Sequence, residues 1–300
     1  MYDKTLIEQL LEAAGGEKMG YVDTLLPHVK LYVLDQYQSA CPLMYDSGLF
    51  FVLQGSKRGK AAGQEFSTSP QTYLLLSNTM PVECETLAQP DEPVVGIYVA
   101  FNRDEISRQV HIMESHKIRG EQESDAAEQL NVINSMSTPD RLAVLVSQLA
   151  EAMLDPCQLE ILGPSFVNQL YYQVLTGPGY HTLKQWVSAD SKFSAVTRSI
   201  EYMQSNLTKR ISVDDLASIA GMSVSAYHHY FKQVTGVSPL QHLKQLRLVR
   251  AKDLLVQQKL SASQTAFDVG YESPNQFSRE FKRYFGVPPS KAATLPYSGT

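Results

Sequence analysis

The sequence predicts an α+β chain of two domains, a small β-rich N-terminal domain with flanking helices and an all-α C-terminal domain. Three observations predict it. Short apolar runs punctuated by Gly and Pro fill residues 20–102, helical periodicity takes over after Arg103, and the charge divides along the chain. Residues 1–189 carry a net charge of −11 and residues 190–300 a net +6, within a whole-chain value of −5. At 300 residues the chain is long enough for two cores, and 43% hydrophobic with 19% charged residues excludes a disordered polymer. No apolar run reaches the roughly 18 residues of a membrane span. The acidic, amphipathic start MYDKTLIEQLLEAAGGEK does not read as a secretory signal. Three widely spaced cysteines, Cys41, Cys84 and Cys157, argue against a disulfide framework or a zinc cluster, which places the chain in a reducing cytoplasm.

A short helix is expected at 4–14, with Leu6, Ile7, Leu10 and Leu11 on one face. Strands follow at 29–37, 49–54, 73–76, 82–87 and 94–101, rich in β-branched, aromatic and aliphatic residues and suited to a small barrel or sandwich. The segment Gly55-Ser56-Lys57-Arg58-Gly59-Lys60 reads as a hairpin turn with solvated charges, its glycine spacing being wrong for a phosphate loop. Helices are expected near 103–113, 125–136, 140–154 and 158–176. Leu142, Leu145, Leu149, Met153, Leu159, Leu162, Phe166 and Leu170 give the last two an apolar surface that is available for dimerisation. The polar run Ser188-Ala189-Asp190-Ser191 marks a linker, giving domains at 1–188 and 189–300.

The last 90 residues contain a repeat. LASIAGMSVSAYHHYFKQVTGVSP, Leu216 to Pro239, matches TAFDVGYESPNQFSREFKRYFGVPP, Thr265 to Pro289, at an offset of 49 that becomes 50 after one extra residue in the second turn. Ala217 and Ala220 allow close helix approach. Gly221 and Gly270 permit a positive-φ turn, and Ser223 and Ser273 are N-caps. Tyr227 with Phe231, and Phe277 with Phe281, are i,i+4 aromatic pairs for the core, and Gly236 and Gly286 end each helix. This is helix-turn-helix organisation in duplicate, joined by a linker helix over Ser238–Leu255.

The tandem motif resembles the DNA-binding domain of the AraC/XylS family of bacterial transcription regulators over residues 192–292, most specifically in GYESPNQFSREFKRYFGVPPS. Upstream, FFVLQGSKRG and LGPSFVNQLYYQVLTGPG resemble the cupin-like sensing domain of one AraC subgroup. The resemblance implies a small cupin-like β-barrel for effector sensing and dimerisation, seven C-terminal helices, and two recognition helices in successive major grooves. The implied partners are a double-stranded DNA operator, a small-molecule effector, RNA polymerase and a second copy of the chain.

With the aromatic pairs facing inward, helical geometry turns Ser225, Ala226, His228 and His229 outward in the first unit, and Asn275, Gln276, Ser278 and Arg279 in the second. These coincide with the family's base-contacting positions. Arg279 suits guanine, and Asn275 or Gln276 adenine. A bland reading leaves His228 and His229 as solvated surface. Lys209, Arg210, Lys232, Lys282 and Arg283 are candidate phosphate contacts, which position a protein without specifying sequence. Arg247 and Arg250 are read either as DNA contacts or as structural residues tied to carboxylates such as Asp253.

The strand region holds only His28 and no H-x-H, and no nucleophile elbow, zincin motif or Walker loop occurs, so no cofactor, metal or enzymatic activity is expected. A metal-free barrel can still bind a small effector. Tyr37, Cys41, Met44, Phe51 and Tyr73 are the candidate pocket residues, with Cys41 read as an inert packed thiol rather than a reactive one. The alternative is a regulator with an occluded barrel that answers to a protein partner or to nothing.

Overall fold

The computed structural model describes residues 2–15, 20–118 and 132–295. Helix α1 (Lys4–Ala13) is capped by the Asp3 carboxylate, which accepts from the Thr5 amide, and buries Leu6, Ile7 and Leu10. Ten strands follow: β1 (Gly20–Asp23), β2 (Val29–Leu34), β3 (Gln38–Tyr45), β4 (Gly48–Gln54), β5 (Ser56–Ala61), β6 (Gln64–Thr68), β7 (Thr72–Leu76), β8 (Met80–Leu87), β9 (Val94–Ala100) and, beyond helix α2 (Arg103–Ser115), β10 (Ile133–Ser137). They form two antiparallel sheets, one in the order β1-β2-β9-β4-β7-β10 and one in the order β3-β8-β5-β6. The expected cupin-like barrel is thus a sandwich of two sheets.

Period-2 alternation assigns the faces. In β8, Met80, Val82, Cys84 and Thr86 are buried, whereas Glu83 and Leu87 are exposed. In β4 and β9 the cross-strand partners Phe50 and Tyr98 lie on the inner face. Leu75 lies on the outer face of its sheet, where a Cβ built on Gly179 would come within 3.0 Å of its Cδ1. That outer face is covered by helices α3 (Asp140–Ala152), α4 (Pro156–Thr176) and α5 (Tyr180–Val187).

Three local expectations are corrected. Ser56–Lys60 is not a turn. It belongs to β5, paired on both sides, with Lys57 inward opposite Thr86 and Arg58 outward opposite Glu85. The turn comes later, at Ala62-Gly63, where both residues have positive φ. The expected helix over 125–136 lies partly outside the described residues, and its end, Ile133–Ser137, is a strand paired with β7. Finally, α5 has no counterpart in the expected elements.

The C-terminal domain comprises α6 (Lys192–Ser205), α7 (Val213–Ile219), α8 (Val224–Thr235), α9 (Pro239–Gln257), α10 (Ala262–Asp268), α11 (Pro274–Phe285) and a 3₁₀ turn at Pro289–Thr294. Each α-helix is N-capped by a serine: Ser191, Ser212, Ser223, Ser238, Ser261 and Ser273. Helix α6 is tied to α8 by a 2.8 Å hydrogen bond between Ser199 and Tyr227 hydroxyls, and to the sandwich by Thr197 Oγ1 donating to Asn78 Oδ1 at 2.7 Å. Arg103 locks the junction. Its guanidinium lies 4.3 Å from the Trp186 ring centroid and donates to the Trp186 carbonyl at 2.6 Å and to Ser194 Oγ at 3.3 Å.

His242 is fully buried inside α9, edge-on to Phe231 at 5.4 Å, and neither ring nitrogen has a partner among the described residues. Burial lowers its pKa from 6.5 to about 3. The unfolded chain therefore binds a proton below pH 6.5 that the folded chain refuses, and stability falls as pH drops from 6.5 towards 3. Urea midpoints at pH 7.5 and 5 should show the wild type losing about 2 kcal/mol more than His242→Leu across that interval. Equal losses would show that His242 takes up its proton in the fold.

Candidate nucleic-acid interface and sensor interior

The two helix-turn-helix units are near copies in geometry as well as in sequence. Both turns pass through a glycine at positive φ, Gly221 at 63° and Gly270 at 85°, where a side chain would be strained. Both second helices start on a serine cap, run 12 residues and end on a left-handed glycine, Gly236 at 76° and Gly286 at 79°. The aromatic pairs hold them down: Tyr227–Phe231 at 5.4 Å and Phe277–Phe281 at 5.5 Å between centroids, all four rings fully buried.

Burying those rings turns the predicted residues outward. Ser225, His228 and His229 are exposed on α8, and Asn275, Gln276 and Arg279 on α11, while Ala226 and Ser278 are half-buried. Lys209, Arg210, Lys232, Lys282 and Arg283 are all exposed. Gln276 is already engaged, donating to Glu280 at 3.2 Å. Burial alone would raise the Glu280 pKa. Hydrogen bonds from Gln276, Tyr271 and Lys244 outweigh it and hold the carboxyl below its ordinary value. Arg247 turns away from the outer surface. Its Nε donates to the Leu207 carbonyl at 2.9 Å and its guanidinium to the Lys209 carbonyl at 2.8 Å. It is structural, as one reading held, but its partners are backbone carbonyls, not Asp253.

The candidate pocket residues do not converge. Tyr37 is exposed and donates to Glu85, which Arg58 also engages on the outer face of the second sheet. Phe51 and Tyr73 stack at 5.4 Å on the helix-covered face, outside the sandwich. Cys41 is buried opposite Cys84. Burial raises its thiol pKa, which suits an inert thiol. Met44 lines an interior cavity of about 30 Å³ with Tyr21, Tyr45, Leu76 and Tyr98. Sequence reasoning missed Lys57, which is buried among the rings of Tyr32, Tyr45 and Phe50. Its alternation with Gly59 and Ala61 was the available signal.

Comparison with known proteins agrees with this geometry. A family model described as the AraC-type transcriptional regulator N-terminus matches residues 25–182, and a helix-turn-helix domain model matches residues 216–294. The chain is 24% identical over 249 residues to the lactose operon transcription activator of Staphylococcus xylosus, covering 82% of each. It is 29% identical over 153 residues to the raffinose operon regulatory protein RafR of Pediococcus pentosaceus, covering 48% of this chain and 52% of that one. Its fold is similar to an apo ToxT variant from Vibrio cholerae, with TM-score 0.59 and 12% identity over 93% of this chain and all of the other. It is also similar to ToxT bound to an unsaturated fatty acid, with TM-score 0.53 and 14% identity over 93% of this chain and 98% of the other.

The Arg247 contacts make a direct prediction. Arg247→Ala removes the donors of two backbone carbonyls and should cost about 1–3 kcal/mol in urea unfolding. Arg250→Ala, at an exposed position, should stay within about 0.5 kcal/mol of wild type. Equal effects would remove the structural assignment.

Proposed function

The chain belongs to the AraC-type transcriptional regulators, and on that premise we propose that it reads an operator through α8 and α11 under control of a small molecule held in the N-terminal sandwich. The observation that carries the DNA half is the pair of matching second helices whose buried aromatics leave polar and basic faces exposed. Arg279 pairs bidentately with a guanine, Asn275 and Gln276 face adenine, and Ser225, Ala226, His228, His229 and Ser278 complete the base-facing set. Gln276 exchanges Glu280 for a base on binding. Lys209, Arg210, Lys232, Lys282 and Arg283 contact phosphate. The sensor extends to residue 188, and the DNA-binding domain starts at 189. The relatives named for lactose and raffinose operons, and the fatty-acid-bound ToxT, support a small-molecule effector in the sensor and a role in controlling transcription by RNA polymerase in the cytoplasm.

The protein acts as a homodimer through the helices that precede the linker, by the apolar side chains that the protomer leaves exposed. Leu142, Leu145, Leu149, Leu159 and Leu170 are buried within the protomer. Val144 and Ile161, at 56% and 70% exposure, are left outside, with Leu162 and Tyr172. Dimerisation then raises operator affinity through effective concentration, without new base contacts.

Three outcomes are expected. Arg279→Ala should weaken operator binding by about 1–3 kcal/mol and relax preference at one base pair, while binding to random DNA is unchanged. Lys282→Ala should weaken both DNAs alike and reduce the salt slope by about 1. Ile161→Glu should shift sedimentation from dimer to monomer and weaken operator binding without lowering the unfolding temperature. A wild-type monomer at micromolar concentration, with and without operator, would contradict the dimer.

A further inference from the structure

Lys57 is a side chain of the sandwich interior whose chemistry the packing leaves unanswered. It is 1% exposed, and its Nζ lies 3.9 Å from the centroid of the Tyr32 ring, 5.1 Å from Phe50 and 5.3 Å from Tyr45. Among the described residues no carboxylate lies within ion-pair distance of it. Ring faces attract an ammonium, but a buried charge without a counter-ion is costly even in such a setting. Its cross-strand partner adds a second unanswered group. Thr86, fully buried, has a hydroxyl with no hydrogen-bond partner. Cross-strand partners on one face stand about 5 Å apart at Cβ, so Lys57 and Thr86 enter the interior from neighbouring points of one face.

We infer that this patch binds the carboxylate of a small monocarboxylic acid. The reasoning deepens the effector reading above and rests on it. One ammonium balances one negative charge, so a monoanion neutralises Lys57, whereas a dianionic phosphate leaves an uncompensated charge among aromatic rings. A carboxylate has enough acceptor capacity to take both the Lys57 ammonium and the Thr86 hydroxyl. A neutral molecule leaves the ammonium as it found it. The rings of Tyr32, Tyr45 and Phe50 supply apolar walls for the body of the acid.

The neighbouring groups fit the assignment. The cavity of about 30 Å³ next to Tyr45 has room for little more than one water, so the acid enters by displacing side chains around it. Lys30 also lines that cavity, but it is paired with Asp23 at 3.4 Å. Asp46 is the carboxylate on the cavity wall. Its Oδ1 accepts from Thr79 Oγ1 and from Gln204 Nε2 of α6, each at 3.0 Å. An acid arriving beside Asp46 therefore bears on the hydrogen bond that ties the sensor to the first helix of the C-terminal domain.

The test uses the full chain, unfolded and refolded to strip carried-over ligand, with no DNA present. Thermal unfolding is followed in sodium acetate and in acetamide, its neutral isostere, with sodium chloride holding the ionic strength equal. Wild type should unfold about 2 °C or more higher in acetate than in acetamide. Lys57→Met should lose that increment while unfolding in chloride no lower than wild type, because it removes a charge that has no partner. Thr86→Val should lose part of the increment. If Lys57→Met does not fold, Lys57→Gln carries the same comparison. No acetate increment in wild type, or an equal one in the Lys57 variant, overturns the proposal. So does a Lys57→Met protein that keeps the increment and unfolds well below wild type, since Lys57 is then only a structural cation. Operator binding measured separately on the same samples distinguishes a failure of this site from a failure of the regulator reading.

Discussion

The structure depends on burying one helix on several sides. Helix α9 has no single apolar face. Its apolar residues are spread around the axis, and His242, Leu243, Leu246, Leu248, Val249, Ala251 and Leu254 are all buried. Apolar residues spread around a helix axis need partners on more than one side. Here α8 covers one side, α10 and the terminal 3₁₀ turn another, and strands β3 and β8 of the sensor a third. Its 19 residues make a rod about 28 Å long, anchored at its start by the Ser238 cap and Pro239. Rigid packing on both units fixes the spacing and orientation of the two exposed faces, which neither unit could set alone.

That same burial couples the domains. Lys252, near the end of α9, is 2% exposed, and its pKa is lowered by burial, with Cys41 of the sensor among the groups that partly restore it. Gly236, at the end of α8, abuts Ala62 at the tip of the β5–β6 hairpin, where an added Cβ would come within 2.8 Å of the Ala62 Cα. Thr197 and Gln204 of α6 bond Asn78 and Asp46 of the sandwich. The sandwich and the helix-turn-helix domain are therefore in contact through two helices and a hairpin tip. The outward faces of α8 and α11 stay open throughout, so docking positions the reading heads without covering them.

The sequence was most legible where structure is set locally. Serine caps, positive-φ glycines and i,i+4 aromatic pairs each act within a turn or two of helix, and their repetition at near-constant offset made the two units and their outward residues readable. It was least legible where long-range pairing decides. Ser56–Lys60 looks like a charged turn until β8 and β6 pair with it and turn Lys57 into the interior. Ile133–Ser137 has too few residues to declare a period and becomes a strand because β7 offers an edge. The leucines of α3 and α4 were visible as an apolar stripe, but a stripe does not say whether its partner is the neighbouring helix or another protomer. Phe51 and Tyr73 pointed to a pocket only because alternation leaves the choice of face open.

The central claim is that α9 holds two reading helices at a fixed separation matched to successive major grooves of one duplex. The most direct measurement is operator affinity after inserting about five base pairs, half a helical turn, between the segments read by α8 and α11. The account predicts that affinity collapses to the level of one unit bound alone, and that a further insertion completing the full turn does not restore it, because a rigid rod cannot lengthen. Affinity unchanged by the half-turn insertion would show that the two units move independently and would contradict the account.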